Sequence, residues 1–323
     1  MHRIIAFVLA EGHAERGQEI PDVKPLQSAP QYYEAAAPKQ FVIAQDQGMT
    51  VKAYPPNVLL AELSREVADA FSKEAFLLRD RMIEECKNAL KRHHGMLQMS
   101  EEYAMAVVSH YDGPPEQFLR KGAEIAGFLK SESIPLDEDE ISHTLATQLK
   151  YGQQDMVIVD WDGAFVFEPT GEVDATLELF ELANLQLLRY RMLDNDLDQR
   201  LRHLEKLMRT RAVNHVVFWS SEITRALKEV IQIRASSIME FDAIVREVKL
   251  IGDWYSARLY ELAAKKFRLD DWRKTIKGKL LSLEDIYGIV SQNFSISRQT
   301  FFEFALQIGW FTVLALELYQ IFR

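Results

Sequence analysis

One change of pattern governs what this chain can fold into. Up to Gly171, short β-branched runs alternate with helical stretches; beyond it, the apolar residues keep helical spacing to the last residue. Such a chain is expected to be α+β. We read a small mixed α/β domain over residues 41–170, an all-helical hairpin or bundle over 171–297 and a C-terminal hydrophobic helix over 298–323, preceded by a loose N-terminal segment and linker over 1–40.

In the first part, Phe41–Ala44 and Met49–Tyr54 read as short strands. Pro55-Pro56-Asn57 then opens a helix from Val58 to about His93, on which Leu59, Leu63, Val67, Ala70 and Leu77 keep helical spacing until Gly95. Tyr103–Ser109 is a strand. Pro114-Pro115-Glu116 starts a helix through Lys130, and Leu136-Asp137 introduces another through about Lys150. Met156–Phe167 is a hairpin turning at Asp162-Gly163, a pair favoured for its positive backbone angle. Ile4–Ala10 has the minimum length of a signal-peptide core and no small-residue cleavage site after it, so it reads as an edge strand or a loose end. Pro21, Pro25, Pro30 and Pro38 mark the linker that follows.

In the second part, Val173–Met208 is a long helix with Leu193, Leu197, Leu201, Leu204 and Met208 on one face, followed by helices over 212–250, 253–267 and 270–290. The densest apolar run lies between Arg298 and Arg323. At ~1.5 Å per residue it is long enough for the ~30 Å hydrocarbon layer of a bilayer. Glu303, Gln307, Trp310, Leu314 and Glu317 fall on one stripe, the face expected to meet a partner helix in a membrane or in a soluble bundle. Arg268, Arg273, Lys274, Lys277, Lys279 and Arg298 precede the run and Arg323 follows it, an asymmetry that would leave the bulk of the chain cytoplasmic.

Composition narrows the function classes. A content of 48% hydrophobic and 27% charged residues suits a chain that buries a core and is too polar for a polytopic membrane protein. With 38 basic against 48 acidic residues, the net charge of −10 argues against a broad basic face for nucleic acid. Cys86, the lone cysteine, excludes an internal disulfide and fits a reducing compartment.

Two motifs imitate chemistry. Val157-Ile158-Val159-Asp160-Trp161-Asp162-Gly163 follows the signature of haloacid dehalogenase phosphatases, in which one Asp is nucleophile and the second general acid beside magnesium. The further strand–helix units that such a fold needs are missing after Gly171. Asp194, Asp196, Asp198 and Glu205 reproduce the spacing of a calcium loop, but Gln199 stands where the sharp turn requires glycine and the leucine stripe runs straight through, as on a solvated helix face. The histidines, His93-His94 included, form no metal or triad spacing. No catalytic, cofactor or metal site is therefore expected.

Asp253-Trp254-Tyr255-Ser256-Ala257-Arg258-Leu259-Tyr260, then Lys279-Leu280-Leu281-Ser282-Leu283-Glu284-Asp285-Ile286-Tyr287, then the Arg298–Arg323 run resemble the "required for meiotic nuclear division" family from Leu177 onward. The resemblance implies helices ending in a membrane anchor and an oligomeric, non-enzymatic protein that organises partners at a membrane. The expected function is accordingly a membrane-tethered scaffold held through residues 299–322, a homo-oligomer exposing its main domains to the cytoplasm. The alternative is a soluble cytoplasmic protein that dimerises through its C-terminal helices, and the third reading is a magnesium-dependent phosphatase using Asp160 and Asp162.

Overall fold

The structure, a computed structural model, describes the backbone of residues 2–12, 40–210, 225, 228–233 and 254–321, with the side chains of all these but 204–210, 289–305 and 313–321. The expected helix over 212–250 and the linker over 13–39 lie largely outside the described residues. The chain divides into two compact units, Met1–Leu193 with Phe241–Arg273, and Asp194–Glu240 with Lys274–Arg323.

The first unit is built on one eight-stranded sheet in the order β2-β3-β4-β1-β5-β8-β7-β6. The strands are β1 His2–Glu11, β2 Phe41–Asp46, β3 Met49–Tyr54, β4 Val58–Val67, β5 Met96–Val108, β6 Gln148–Leu149, β7 Met156–Val159 and β8 Gly163–Phe167. The β5–β8 pair is parallel; the other pairs are antiparallel. The helices are α1 Lys73–Arg92, α2 Gly122–Lys130, entered through a 3-10 turn at Pro115–Lys121, α3 Glu138–Leu145, α4 Asp174–Thr210, α5 Trp254–Lys266 and α6 Leu269–Ile321. Both α4 and α6 run from one unit into the other.

Strand alternation divides the core. Ile4, Ala6, Val8, Ala104, Ala106, Phe165 and Phe167 pack with Ala75, Met82, Cys86 and Leu90 of α1 and with Ile125, Phe128 and Leu129 of α2. The alternate residues Phe7 and Tyr103 stack at 5.6 Å, and Tyr103 meets Phe180 of α4 at 5.2 Å. The sheet is therefore covered on both faces, and its middle strands carry continuous apolar runs.

This double cover explains two departures from the expected elements. Ile4–Ala10 is neither edge strand nor loose end: β1 lies in mid-sheet between β4 and β5, with every residue of that run buried. Val58–Val67 is strand β4 and not the start of a helix. Its apolar residues at helical spacing are also a continuous run that two sheet faces bury, an ambiguity that periodicity alone does not resolve. The helix begins at Ser72, whose hydroxyl caps it by accepting from the Ala75 amide at 3.1 Å. Near Lys150 the expected helix stops at Leu145, and Gln148–Leu149 joins the sheet.

The α+β class stands, as an N-terminal eight-stranded sheet with several helices. The finer expectation for the C-terminus is not supported. Residues 298–321 are helical as the end of α6, but among the described residues no helix is long and apolar enough to cross a membrane.

Candidate functional site

The Asp160–Gly163 turn joins β7 to β8. Asp160 is 5% exposed. Its Oδ1 accepts from the Trp161 amide at 2.8 Å and from Lys266 Nζ at 3.2 Å, while Oδ2 lies 3.4 Å from Lys130 Nζ. Lys130 also reaches Glu140 at 2.6 Å. The Tyr103 hydroxyl donates to the Asp160 carbonyl at 3.4 Å, and the Phe267 ring meets the edges of Trp161 at 5.8 Å and Tyr103 at 5.7 Å. The turn thus fastens the end of α5, through Lys266 and Phe267, to the sheet.

Asp162, the expected acid partner, is half-buried. Its pKa is raised by desolvation, against the pull of Arg79. Arg79 is itself 4% exposed; it donates to the Asp162 carbonyl at 3.4 Å and to the Ser131 hydroxyl and lies 5.4 Å above the Phe128 ring. Burial lowers its pKa, although Asp80 and Asp162 oppose the shift. Gly163 is needed for a reason other than the positive angle expected: a Cβ there would lie 2.6 Å from the Ala104 carbonyl, across the parallel β5–β8 pairing. A phosphoryl-accepting carboxylate needs an open line of approach. Asp160 faces a lysine with each oxygen and follows β7, which is antiparallel to both its neighbours.

A second charged cluster lies on the sheet face covered by α4 and escaped the sequence reading. Lys52 of β3 bridges Glu181 of α4 at 2.8 Å and Glu62 of β4 at 2.9 Å, and the Tyr54 hydroxyl is 3.1 Å from Glu181. Glu181 is completely buried. Burial pushes its pKa up to about 7, Lys52 opposing and Glu62 adding; burial also lifts Glu178 to about 7 against Lys52. Nothing in the order of residues announces the cluster, because it requires the register that sets Lys52 against Leu60 and brings Glu62 onto the same face.

In the second unit, the acidic run behaves as a helix face. Lys279 bridges Asp194 at 2.7 Å and Asp198 at 2.6 Å, and Arg200 joins Asp196 at 2.8 Å to Glu229 at 3.1 Å. Among the described residues no group of three His, Cys, Asp or Glu is placed to hold a metal ion.

Of the stripe expected to meet a partner helix, Gln307 and Trp310 are exposed, whereas the side chains of Glu303, Leu314 and Glu317 lie outside the described residues. Leu306, Ile308, Trp310 and Phe311 are 70%, 58%, 71% and 72% exposed. At ~100° per residue, Leu306 and Trp310 lie toward one side of α6, and Ile308 and Phe311 toward the other.

Residues 49–174 match the family model described as the N-terminal domain of uncharacterized protein MJ0711, a span that runs from β3 to the first residue of α4. The chain is similar to uncharacterized protein MJ0711 of Methanocaldococcus jannaschii, with 24% identity over 257 residues, covering 78% of this chain and 76% of that protein. No solved structure matches significantly. These matches overturn the resemblance to the "required for meiotic nuclear division" family, to which nothing in them points.

Proposed function

We propose that this chain is a non-enzymatic organising protein that associates with copies of itself through the end of α6. The observation that carries this reading is the exposure of Leu306, Ile308, Trp310 and Phe311 on a helix that is too polar or too short, among its described residues, to span a bilayer. Burying each such side chain contributes roughly 1.5–3 kcal/mol, so a few pairs suffice to offset the entropy of association. In a parallel, in-register pairing of copies Gln307 would meet Gln307, and a polar pair inside an apolar seam fixes register in such oligomers.

The test is the solution mass of the full chain by light scattering, beside Trp310→Glu and a chain ending at residue 297. A multimer that both changes reduce to monomers is expected; a monomeric full chain sinks the proposal. A second reading follows from apolar groups lying on two sides of the helix, more than one partner helix covers. It holds that this end of α6 lies in a membrane interface and tethers the scaffold there. Flotation with anionic vesicles, lost on Trp310→Glu while the solution mass stays monomeric, would favour it.

A further inference from the structure

On the sheet face covered by α4, one ammonium bridges two carboxyls. Lys52 Nζ lies 2.8 and 2.9 Å from the two oxygens of Glu181 and 2.9 Å from Glu62. The Tyr54 hydroxyl is 3.1 Å from Glu181 and 2.9 Å from Gln40 Oε1, and Gln40 Nε2 donates to Glu178 at 3.4 Å. The charged and titratable groups are thus Lys52 and Tyr54 from β3, Glu62 from β4, and Glu178 and Glu181 from α4, with neutral Gln40 ahead of β2. Glu181 has no exposed surface, and the side chains of Lys52 and Glu62 are 17% and 18% exposed.

With both of the carboxyls that Lys52 faces ionised, and Glu181 wholly buried, the cluster would hold a net negative charge that one lysine cannot neutralise. Uncompensated buried charge is costly enough that such a site takes up a proton instead. We infer that the cluster is a proton-operated latch: a proton held on Glu181, beside Glu62, keeps α4 fastened to β3 and β4, and its loss to water loosens that contact.

The electrostatics agree in direction. Burial first, then Glu62, raise Glu181 to about 7 against the pull of Lys52. Burial acts to lower Lys52, but Glu181 and Glu62 outweigh it, so the lysine stays charged throughout. Tyr54 is pushed further up by burial and by Glu181, and stays neutral. An unfolded Glu titrates near 4.5. The folded chain therefore binds more protons than the unfolded one between about 4.5 and about 7, and stability falls as pH rises through that window. Paired carboxylates whose folded pKa is depressed give the reverse slope.

The experiment follows urea unfolding of the full chain from pH 5 to pH 8, for wild type and Glu181→Gln, together with the infrared band of a protonated carboxyl. In wild type the unfolding constant should rise across the window, and the rise in Glu181→Gln should be smaller by on the order of a hundredfold, Glu178 supplying what remains. Because both chains share every other charge, the difference isolates this site. A protonated-carboxyl band in native wild type at pH 6, lost by pH 8, is expected with a parallel fall in amide protection across β3 and the first turns of α4. Should Glu181→Gln not fold, Glu62→Gln replaces it, and loss of the band should then move to lower pH. Absence of the band at pH 6, or identical pH profiles in wild type and Glu181→Gln, would overturn the latch.

Discussion

Among single residues, Asp160, which the sequence places in a phosphatase-like motif, is paired with Lys130 and Lys266 in the first unit. Asp160 accepts from one backbone amide and faces two lysines, so replacing it by Asn leaves Lys130 and Lys266 without their shared counter-ion. Breaking a buried pair costs roughly 3–5 kcal/mol, and the partly wet lysines put this one near the lower end, about 3 kcal/mol. Urea unfolding of Asp160→Asn checks it; a loss below about 1 kcal/mol would show that the lysines are solvated in the native state. Gly163→Ala places a Cβ against the Ala104 carbonyl and should destabilise by roughly 1–3 kcal/mol through displaced backbone. Lys52→Met strands Glu181 and Glu62 together. Its loss should be larger at pH 8 than at pH 5, since protonation relieves the pair at the lower pH.

Among elements, specific polar contacts start α1 and join α5 to α4. Ser72 caps α1, and Ser72→Ala should cost about 1 kcal/mol in the same unfolding measurement. Tyr260 of α5 donates to Gln186 of α4 at 2.7 Å, and Gln186 donates to Tyr190 at 2.6 Å, a buried chain of hydrogen bonds. Lys266 and Phe267 complete that attachment at the Asp160 turn. The strands follow a similar logic. β1 lies in mid-sheet and both its faces are covered, so its residues appear as an unbroken apolar run and not as an alternation. Among these strands, Met156–Phe167 reads as a hairpin from its apolar run, although the turn spans Asp160–Gly163 without a positive angle at Gly163, whereas β4 does not read as a strand, because its leucines fit either period.

At the scale of the whole molecule, the consequence rests on the end of α6. If copies associate there, Phe311→Glu should dissociate them while leaving the far-ultraviolet circular dichroism of the first unit unchanged, since Phe311 is 72% exposed. Light scattering and circular dichroism on one sample test both halves of that statement. The family match over residues 49–174 covers the sheet from β3 onward and stops at the first residue of α4, so the end of α6 lies outside it.

Local pattern was enough for the α+β class, the two strands of Met156–Phe167, the long helix after Gly171 and the helical course of Asp194–Asp198, because neighbours in the chain decide these. The chain's folded contacts were needed to show that Ile4–Ala10 runs through mid-sheet, that Asp160 pairs with Lys130 and Lys266, and that Lys52, Glu62 and Glu181 meet on one sheet face. Those outcomes depend on which strands lie side by side and in what register, and a carboxylate's chemistry follows from the charges that the register brings within about 3 Å of it.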